Sequence, residues 1–337
     1  MDMKTVRLTA RAKLKGFCRV CPECNGKACA GEVPGMGGLG TAASFKSNVE
    51  TLAAFRLNMR TLHSAKNPDT TYKLFGQDLL TPILGAPITG NIYNMGEALN
   101  EEEWAEAIIQ GCLTAGTLGC TGDGADPAMY KSGVDAIIKA HGRGIPFIKP
   151  REQDEVFNYL RRAEEAGVFA VGMDIDGAGL VTMALKGQPV GPKTKEEMRE
   201  IISRTSLPFI IKGIMTVDEA EIAIEVGAAA IVVSNHGGRV LDHTPGTAEI
   251  LSEIAATVHG RIPVLVDGGV RSGTDVLKML ALGADAVLVG RPFIIAAYGG
   301  GAEGISLAIS TMTNELKQTM ILTGCATLED INMDVLL

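Results

Sequence analysis

From about residue 80 onward, the chain alternates short runs of β-branched and other apolar residues with longer amphipathic segments. Eight of the short runs can form buried strands, and a helical pattern follows each of them. Parallel strands need long crossover connections, usually helices, so this alternation predicts repeated strand–helix units. The predicted strands cover residues 83–88, 116–121, 146–149, 170–176, 208–213, 230–235, 263–268 and 286–290.

The fold that fits eight consecutive strand–helix units is a (β/α)8 barrel, or TIM barrel. A doubly wound open sheet would more often carry a GxGxxG run after its first strand, and none follows residues 83–88. Cap signals at helix starts support the same alternation of strands and helices, because Thr216 with Glu219 and Ser272 with Asp275 have the spacing of reciprocal caps. We predict an α/β protein with a barrel over residues 76–337 and an N-terminal extension over residues 1–75.

Composition excludes several classes of function. The 337 residues include 31 Lys and Arg against 39 Asp and Glu, giving a net charge of −8, and no basic tract is interleaved with aromatic residues. Nucleic acid is therefore not expected as a partner. No uninterrupted apolar run reaches the ~18 residues of a membrane span, and no signal-peptide core follows the first residues. We expect a cytoplasmic protein with no membrane partner.

The segment Ser234-Asn235-His236-Gly237-Gly238-Arg239 stands where the sixth apolar run ends. In a barrel the carboxyl ends of the strands form the mouth that carries the chemistry, so this segment places an imidazole and a guanidinium there. The two glycines between them allow a sharp turn or a close approach of the backbone to a ligand. A tight turn with a solvated arginine is the alternative interpretation.

Other strand ends bring further polar residues to the same mouth. Lys149 and Lys212 end apolar strands, where an unpaired ammonium is costly, so both need an anion or a cofactor. Glycines accompany Asp267, Arg271 and Arg291 after the last two strands, which is the usual place for a phosphate site in a barrel. A simple ion pair between Asp267 and Arg271 is the alternative.

These motifs resemble those of the FMN-dependent α-hydroxy-acid oxidases and dehydrogenases, from about residue 75 to the end. The resemblance depends on Ala86-Pro87, Lys212-Gly213, the segment from Ser234 to Arg239 continued by Leu241-Asp242, the segment from Asp267 to Arg271, Gly290-Arg291-Pro292 and Thr323-Gly324-Cys325. It implies a barrel that binds FMN and oxidises a small-molecule 2-hydroxy acid to the 2-oxo acid.

The resemblance also implies roles for single residues. His236 would take a proton from the substrate, Arg239 would hold its carboxylate, and Asp176 would orient the histidine. Lys212 would lie beside N1 and O2 of the flavin, where a cation stabilises the anionic reduced ring. The catalytic set is thus His236, Arg239, Asp176 and Lys212. The implied cofactor-binding residues are Pro87, Ile88, Thr89, Lys149, Lys212, Ser234, Asp267, Gly269, Arg271, Gly290 and Arg291.

The chain also departs from the family pattern. The family places a tyrosine near the N-terminus, a second tyrosine and a glutamine in the third strand, and a second arginine after the fourth. Here no Tyr precedes Tyr72, Lys149 stands in place of the glutamine, and residues 176–180 contain no Arg. Arg151 either replaces a lost cation or lies on the surface. The pocket is therefore expected to be remodelled, and the particular substrate stays open.

Cys18, Cys21, Cys24 and Cys29 form a CxxCxxCxxxxC run, which glycine-rich residues 35–40 follow. Clustered cysteines in a cytoplasmic protein are more naturally thiols or metal ligands than disulfides. The spacing is close to a ferredoxin run, with one residue too many before the last cysteine and no proline after it. We expect an iron–sulfur cluster, with zinc or free redox thiols as alternatives. A cluster would give the reduced flavin an exit for its electrons, to an acceptor protein instead of oxygen.

The remaining expectations are simpler. Residues 41–62 are predicted to form an amphipathic helix that covers the bottom or the side of the barrel, and Cys112, Cys120 and Cys325 are expected to be small buried hydrophobes. The family resemblance implies a homo-oligomer, a tetramer or an octamer. Two rival functions are a type 2 isopentenyl diphosphate isomerase, which is another FMN barrel, and a non-catalytic flavin or metal redox sensor.

Overall fold

Eight parallel strands close into a barrel in the computed structural model, which describes residues 1–337. An antiparallel hairpin of β1 (Tyr72–Leu74) and β2 (Gln77–Leu79) precedes the barrel. Each barrel strand pairs with its neighbours along the chain, and the last pairs with the first, so the predicted barrel is confirmed. The barrel strands are β3 (Ile83–Ile88), β4 (Gly119–Thr121), β5 (Ile145–Ile148), β6 (Val171–Asp174), β7 (Phe209–Ile214), β8 (Ala230–Val233), β9 (Val264–Val266) and β10 (Ala286–Val289).

Helices surround the barrel as the alternation predicts. They are α1 (Met3–Lys13), α2 (Ala43–Ala54), α3 (Asn91–Asn94), α4 (Glu101–Thr114), α5 (Pro127–Lys139), α6 (Gln153–Glu165), α7 (Val181–Leu185), α8 (Lys195–Ser203), α9 (Val217–Glu225), α10 (Thr247–Val258), α11 (Gly273–Ala281) and α12 (Arg291–Thr323). Ser272 and Asp275 form the predicted reciprocal cap, whereas at the other helix only the Thr216 side chain caps, accepting from the backbone of Glu219. Caps of this kind satisfy the free N–H groups of a first helical turn.

The inside of the barrel is filled in layers. Inward-facing side chains of the strands, including Leu84, Ile210 and Leu265, form a separate apolar cluster. Leu74 and Leu79 of the hairpin belong to this same cluster, so the hairpin closes one end of the barrel. The sequence reasoning did not predict the hairpin. The other end, where the strands finish, stays open and polar, which is the arrangement that TIM-barrel enzymes use.

The N-terminal extension joins the main core. Ala10, Leu14 and Leu52 belong to the large apolar cluster that the barrel helices form. The boundary predicted after residue 75 lies in the turn of the hairpin, between β1 and β2.

Of the two positions predicted for the helix over residues 41–62, the bottom of the barrel was wrong, whereas the helix does pack against the side, on α10 and α11. The helix α2 is shorter and lies at the carboxyl ends of the strands, where Asn48 exchanges hydrogen bonds with Asn235 at 2.8 and 3.1 Å. Asn48 also accepts from the backbone of Thr247 at 3.0 Å. These buried amide contacts hold α2 at this end of the barrel, because an unpaired buried amide is costly.

One helix, α12, is long and apolar enough to cross a bilayer by length and composition alone, and 56% of its most apolar window is buried within the protein. Non-helical backbone at Gly300 and Gly301 divides it into two shorter helices. Apolar composition is ordinary for helices that pack in a core.

Candidate active site

A cleft opens at the carboxyl ends of the barrel strands. It encloses about 1150 Å³, part of which is open to solvent. Most residues that the sequence assigned to the site line this cleft: Pro87, Ile88, Thr89, Lys149, Lys212, His236, Arg239, Asp267, Gly269, Arg271, Gly290 and Arg291. The remaining two, Asp176 and Ser234, lie behind them. They contact His236 and Lys212.

Charged residues of alternating sign form the floor of the cleft. Lys149 at the end of β5 forms a buried ion pair with Asp174, the last residue of β6. Lys212 of β7 donates to Ser234 at 2.9 Å, and Ser234 donates to Asp267 at 2.8 Å. Burial alone would lower the pKa of Lys212, but the nearby carboxylates of Asp267 and Asp176 raise it above its ordinary value. Lys212 therefore stays charged beneath the cleft, because carboxylates lie next to it.

The imidazole of His236 is held by a carboxylate. Its Nδ1 lies 2.9 Å from Asp176 Oδ1, in the helical turn that follows β6. Burial alone would raise the pKa of Asp176, but the positive charges of His236 and Lys212 lower it to about 2. Asp176 is therefore ionised and accepts the Nδ1 proton, which leaves Nε2 of the neutral ring with its lone pair.

His236 is neutral at neutral pH. Burial lowers its pKa below the ordinary value of 6.5, although the Asp176 carboxylate opposes this shift. The backbone of His236 also lies in the left-handed region, with φ of 57°, which is uncommon for a side chain of this size. Strained backbone of this kind concentrates at functional sites, because the surrounding contacts must hold it in place.

The guanidinium of Arg239 is held by backbone and amide oxygens and by no carboxylate. Its Nη1 donates to the carbonyls of Gly35 and Gly37, at 2.5 and 3.2 Å, and its Nη2 donates to Asn94 Oδ1 at 2.8 Å. Burial, together with the nearby positive charge of Arg291, lowers the pKa of Arg239 to about 9. A cation in this state attracts an anion, because only a negative charge would offset its burial.

The other end of the cleft suits a phosphate. The Nη2 atom of Arg271 is buried without a hydrogen-bond partner, and Gly268 and Gly269 follow β9 with positive φ angles of 95° and 83°. An unpaired guanidinium nitrogen beside glycine backbone is a typical phosphate-binding arrangement. Asp267 and Arg271 have other partners, so the simple ion pair between them is not formed.

The four clustered cysteines line one small cavity next to the cleft. Arg291 and Met36 line both spaces, so the cavity and the cleft are neighbours. Burial raises the pKa values of Cys18 and Cys29, and the surrounding thiols add to the shift. The other three cysteines, Cys112, Cys120 and Cys325, are buried within the barrel and its helices, as expected.

Arg151 differs from both alternatives that the sequence offered. It is fully buried, does not line the cleft, and forms two hydrogen bonds to Asp123, at 2.7 and 2.9 Å. It also donates to Gln188 at 2.9 Å. Arg151 therefore stabilises the loops after β4 and β5 instead of replacing a substrate-binding cation.

Sequence reasoning missed several residues of the site. Asn94 contacts Arg239, and the carbonyls of Gly35, Met36 and Gly37 contact the two arginines of the cleft. Phe45 packs under Arg291, with 3.8 Å between the guanidinium carbon and the ring centre. The glycine-rich sequence after the cysteines was a signal for close backbone approach, but nothing local showed what it would approach.

Fold and site together define a class of protein: a TIM barrel whose mouth carries a histidine held by a carboxylate, an arginine without a carboxylate partner and an unpaired guanidinium nitrogen beside glycine backbone. Comparisons with known proteins narrow this class. The family model for FMN-dependent dehydrogenases matches residues 35–184 and 181–337. The chain is 35% identical to L-lactate oxidase of Lactobacillus jensenii, over 86% of this chain and 76% of that protein. It is 31% identical to glycolate oxidase of Spinacia oleracea, over 81% of this chain and 82% of that protein.

Solved structures agree with this result. A crystal structure of mandelate oxidase with (S)-2-phenylpropionate superposes with a TM-score of 0.78 at 29% identity, covering 99% of this chain and 97% of that one. Flavocytochrome b2 with pyruvate bound gives a TM-score of 0.77 at 25% identity, covering 89% of this chain and 80% of that one. The chain belongs to the FMN-dependent dehydrogenase family, and it is an FMN-dependent α-hydroxy-acid oxidase or dehydrogenase.

The residues of the cleft fit FMN. The unpaired Nη2 of Arg271 and the glycines after β9 suit the phosphate, and the charged Lys212 suits the ring. The apolar side chains of Ile88 and Leu288 offer a surface for a flat aromatic group.

Proposed function

We propose that this protein oxidises a 2-hydroxy acid to the 2-oxo acid, with His236 as the base and Arg239 as the carboxylate clamp. The observation that supports this proposal most directly is the contact of 2.9 Å between His236 and Asp176 beside an arginine that has no carboxylate partner. Oxidation of a 2-hydroxy acid needs both functions, because the hydroxyl proton must leave and the carboxylate must be held.

The proton step follows from the environment of His236. Its neutral ring presents Nε2 to the cleft and accepts the substrate hydroxyl proton there, while Asp176 stabilises the imidazolium that forms. Lys149 and Lys212 disfavour the imidazolium, so the proton is not retained too strongly. FMN, when bound, would accept the hydrogen of the α-carbon together with its electron pair, formally as a hydride.

The clamp follows from the donors that Arg239 keeps. Of its five N–H groups, two on Nη1 and one on Nη2 bind the protein, which leaves Nε–H and one N–H of Nη2. Two such donors match the two oxygens of one carboxylate. Orientation by the clamp places the substrate hydroxyl toward His236, which lines the same cleft.

The chamber beside these two residues is largely apolar. Met36, Ala125 and Leu180 line it together with Tyr93. Apolar walls favour an apolar substrate side chain, because removal of apolar surface from water stabilises the complex. The mandelate and lactate oxidases among the relatives act on hydroxy acids of this general type.

We further propose that Cys18, Cys21, Cys24 and Cys29 hold an iron–sulfur cluster, with zinc as the alternative. Four cysteines around one cavity supply the ligand set that such a cluster requires. A cluster there would be an exit for electrons from the reduced cofactor, since its cavity adjoins the cleft through Arg291 and Met36. This favours a dehydrogenase with an acceptor protein over an oxidase. Its cytoplasmic location and its assembly as a tetramer or octamer stay predictions.

Replacement of the base tests the proposed reaction. The variant His236→Ala should keep bound yellow FMN but lose its reduction by 2-hydroxy acids under anaerobic conditions, measured by stopped-flow absorbance. His63→Ala is a matched control, because His63 is exposed and does not line the cleft. Normal flavin reduction in His236→Ala would reject the assignment. Failure of every 2-hydroxy acid to reduce the wild-type flavin would favour the isomerase or the sensor.

The metal proposal has its own test. Protein purified without oxygen should contain iron and acid-labile sulfide, and replacement of Cys24 by serine should lower both while FMN is retained. Zinc without sulfide would reject the cluster and the electron exit, but it would leave the hydroxy-acid reaction standing.

A further inference from the structure

The two arginines of the cleft are held by one short stretch of backbone. Arg239 donates to the carbonyls of Gly35 and Gly37, and Arg291 donates to those of Met36 and Gly37, each at 2.8 Å. This glycine segment, residues 35–40, follows the four cysteines in sequence, with residues 30–34 between them. The orientation of the carboxylate clamp therefore depends on a segment outside the barrel.

The glycine segment and the cysteines form one folded unit. The Gly37 amide donates to Glu32 at 3.1 Å, and the Glu32 amide donates to Cys29 at 3.3 Å. Gly31 donates to Gly38 at 2.9 Å, which closes the loop between the last cysteine and the segment. A side chain at Gly37 would overlap the Cys29 carbonyl oxygen, so the backbone at Gly37 lies in close contact with the backbone at Cys29. Displacement of Cys29 must move Gly37 as well.

The same unit also contacts the catalytic loop. Leu39 donates to the Gly238 carbonyl at 2.9 Å, and Arg291 donates to the Gly237 carbonyl at 3.0 Å. Asn94 completes the arrangement, because its Oδ1 accepts from Arg239 at 2.8 Å and from the Gly35 amide at 3.3 Å. The cysteine loop, the glycine segment and the carboxylate clamp are thus joined by consecutive hydrogen bonds.

We propose that the glycine segment positions Arg239 for the substrate carboxylate, so that occupancy of the cysteine site and binding of a carboxylate in the cleft strengthen each other. This inference rests on the proposed function, because it requires that the cysteines hold a cluster and that Arg239 is the clamp. The cysteine site then has a second role besides electron transfer, since it supports the geometry of substrate binding.

The direction of the coupling follows from the contacts. A cluster fixes four thiolates in one place, and the loop that carries them keeps the carbonyls of Gly35 and Gly37 under Nη1 of Arg239. Without the cluster, the loop loses these restraints and the arginine must be ordered when the carboxylate binds, which weakens binding. Couplings of this kind typically change affinity by about 5- to 150-fold.

Binding of oxalate tests the proposal without catalysis. Oxalate carries two carboxylates and no hydrogen on carbon, so it can occupy the clamp but cannot reduce the flavin. Its dissociation constant is measured from the change in flavin absorbance, in anaerobically purified protein and again after a chelator has removed the cluster. We expect oxalate to bind at least about fivefold more weakly after removal. By reciprocity, oxalate should also protect the cluster against the chelator.

A variant tests the backbone contact directly. Gly37→Ala forces the segment away from Cys29, so its carbonyl must move from both arginines, and oxalate binding should weaken similarly. Gly191→Ala is the matched control, because its added methyl group meets no atom within 4 Å and oxalate binding should not change.

The outcomes separate the two proposals. Equal oxalate affinity with and without the cluster, at confirmed iron loss and retained FMN, would overturn the coupling and leave the electron exit intact. Protein that contains no iron or sulfide as isolated would reject the electron exit and the coupling to a cluster. Gly37→Ala then decides whether the glycine segment positions the clamp, and normal oxalate binding in that variant would reject that role too.

Discussion

Replacement of Asp176 by asparagine is the sharpest test of the site. The carboxylate of Asp176 lies 2.9 Å from Nδ1 of His236, behind the cleft and out of contact with the cofactor space. Asparagine keeps the size of the side chain but removes the charge that stabilises the imidazolium. It also leaves Lys149 and Lys212, which disfavour that cation, without opposition from this carboxylate.

The size of the effect can be worked from this contact. A hydrogen bond to a charged group contributes about 1.5–3 kcal/mol. If that free energy is lost when His236 becomes protonated in the transition state, flavin reduction slows by about 10- to 150-fold. The pKa of His236 should also fall further, because the carboxylate raises it in the wild type. The acid limb of the rate profile should therefore move to lower pH while its plateau falls.

Anaerobic stopped-flow reduction at saturating substrate, repeated across pH, measures both effects. Asp135→Asn serves as the control, because Asp135 forms an exposed ion pair with Lys131. FMN content should be unchanged in both variants. An unchanged plateau and an unmoved acid limb in Asp176→Asn would refute the reasoning, and a lower plateau with an unmoved limb would point to a structural effect instead.

Three further predictions follow from the charged residues. In the wild type, kcat/KM should rise with pH along a limb below pH 6.5 and stay level at neutral pH. The reason is that burial lowers the pKa of His236, and only its neutral form is the base. A limb above pH 7 would contradict this. Lys212→Met should lose FMN, and full flavin content would contradict this. It should also lower the free energy of unfolding by about 3–5 kcal/mol in urea denaturation, because the buried carboxylate of Asp267 loses its cation. Arg151→Met should lower the free energy of unfolding by a similar amount, about 3–5 kcal/mol in urea denaturation, because the buried carboxylate of Asp123 loses its cation. Unchanged stability would contradict this.

Much of the barrel could be predicted from local patterns. The strand ends carried the polar residues, and carboxyl ends of parallel strands meet at one mouth, so His236, Arg239 and Lys212 could be placed together before the fold was known. The pairing of Lys149 with Asp174 was not expected. That pairing required knowledge of which strands are neighbours and which side chains face inward.

The N-terminal extension could be predicted less well. Apolar residues in the segment 41–62 correctly indicated a helix, but the same pattern fits any apolar surface, so it could not select an end of the barrel. Asn48 selected the end by pairing with Asn235, which is 187 positions away in sequence. The buried role of Arg151 had the same cause, because Asp123 and Gln188 reach it from two other loops.

The sequence by itself determined the barrel and the chemistry at its mouth, because strand–helix periodicity and strand-end residues are local properties that closure of a parallel sheet converts into one site. Only the tertiary structure decided that the cysteine loop and the glycine segment lie over that site. Arg239 and Gly35, whose carbonyl it contacts, are 204 positions apart. Every residue has a backbone carbonyl, so the residue type at position 35 does not predict which side chain will bind there. Contacts of that kind are set by how the whole chain packs, once the barrel has brought its loops together.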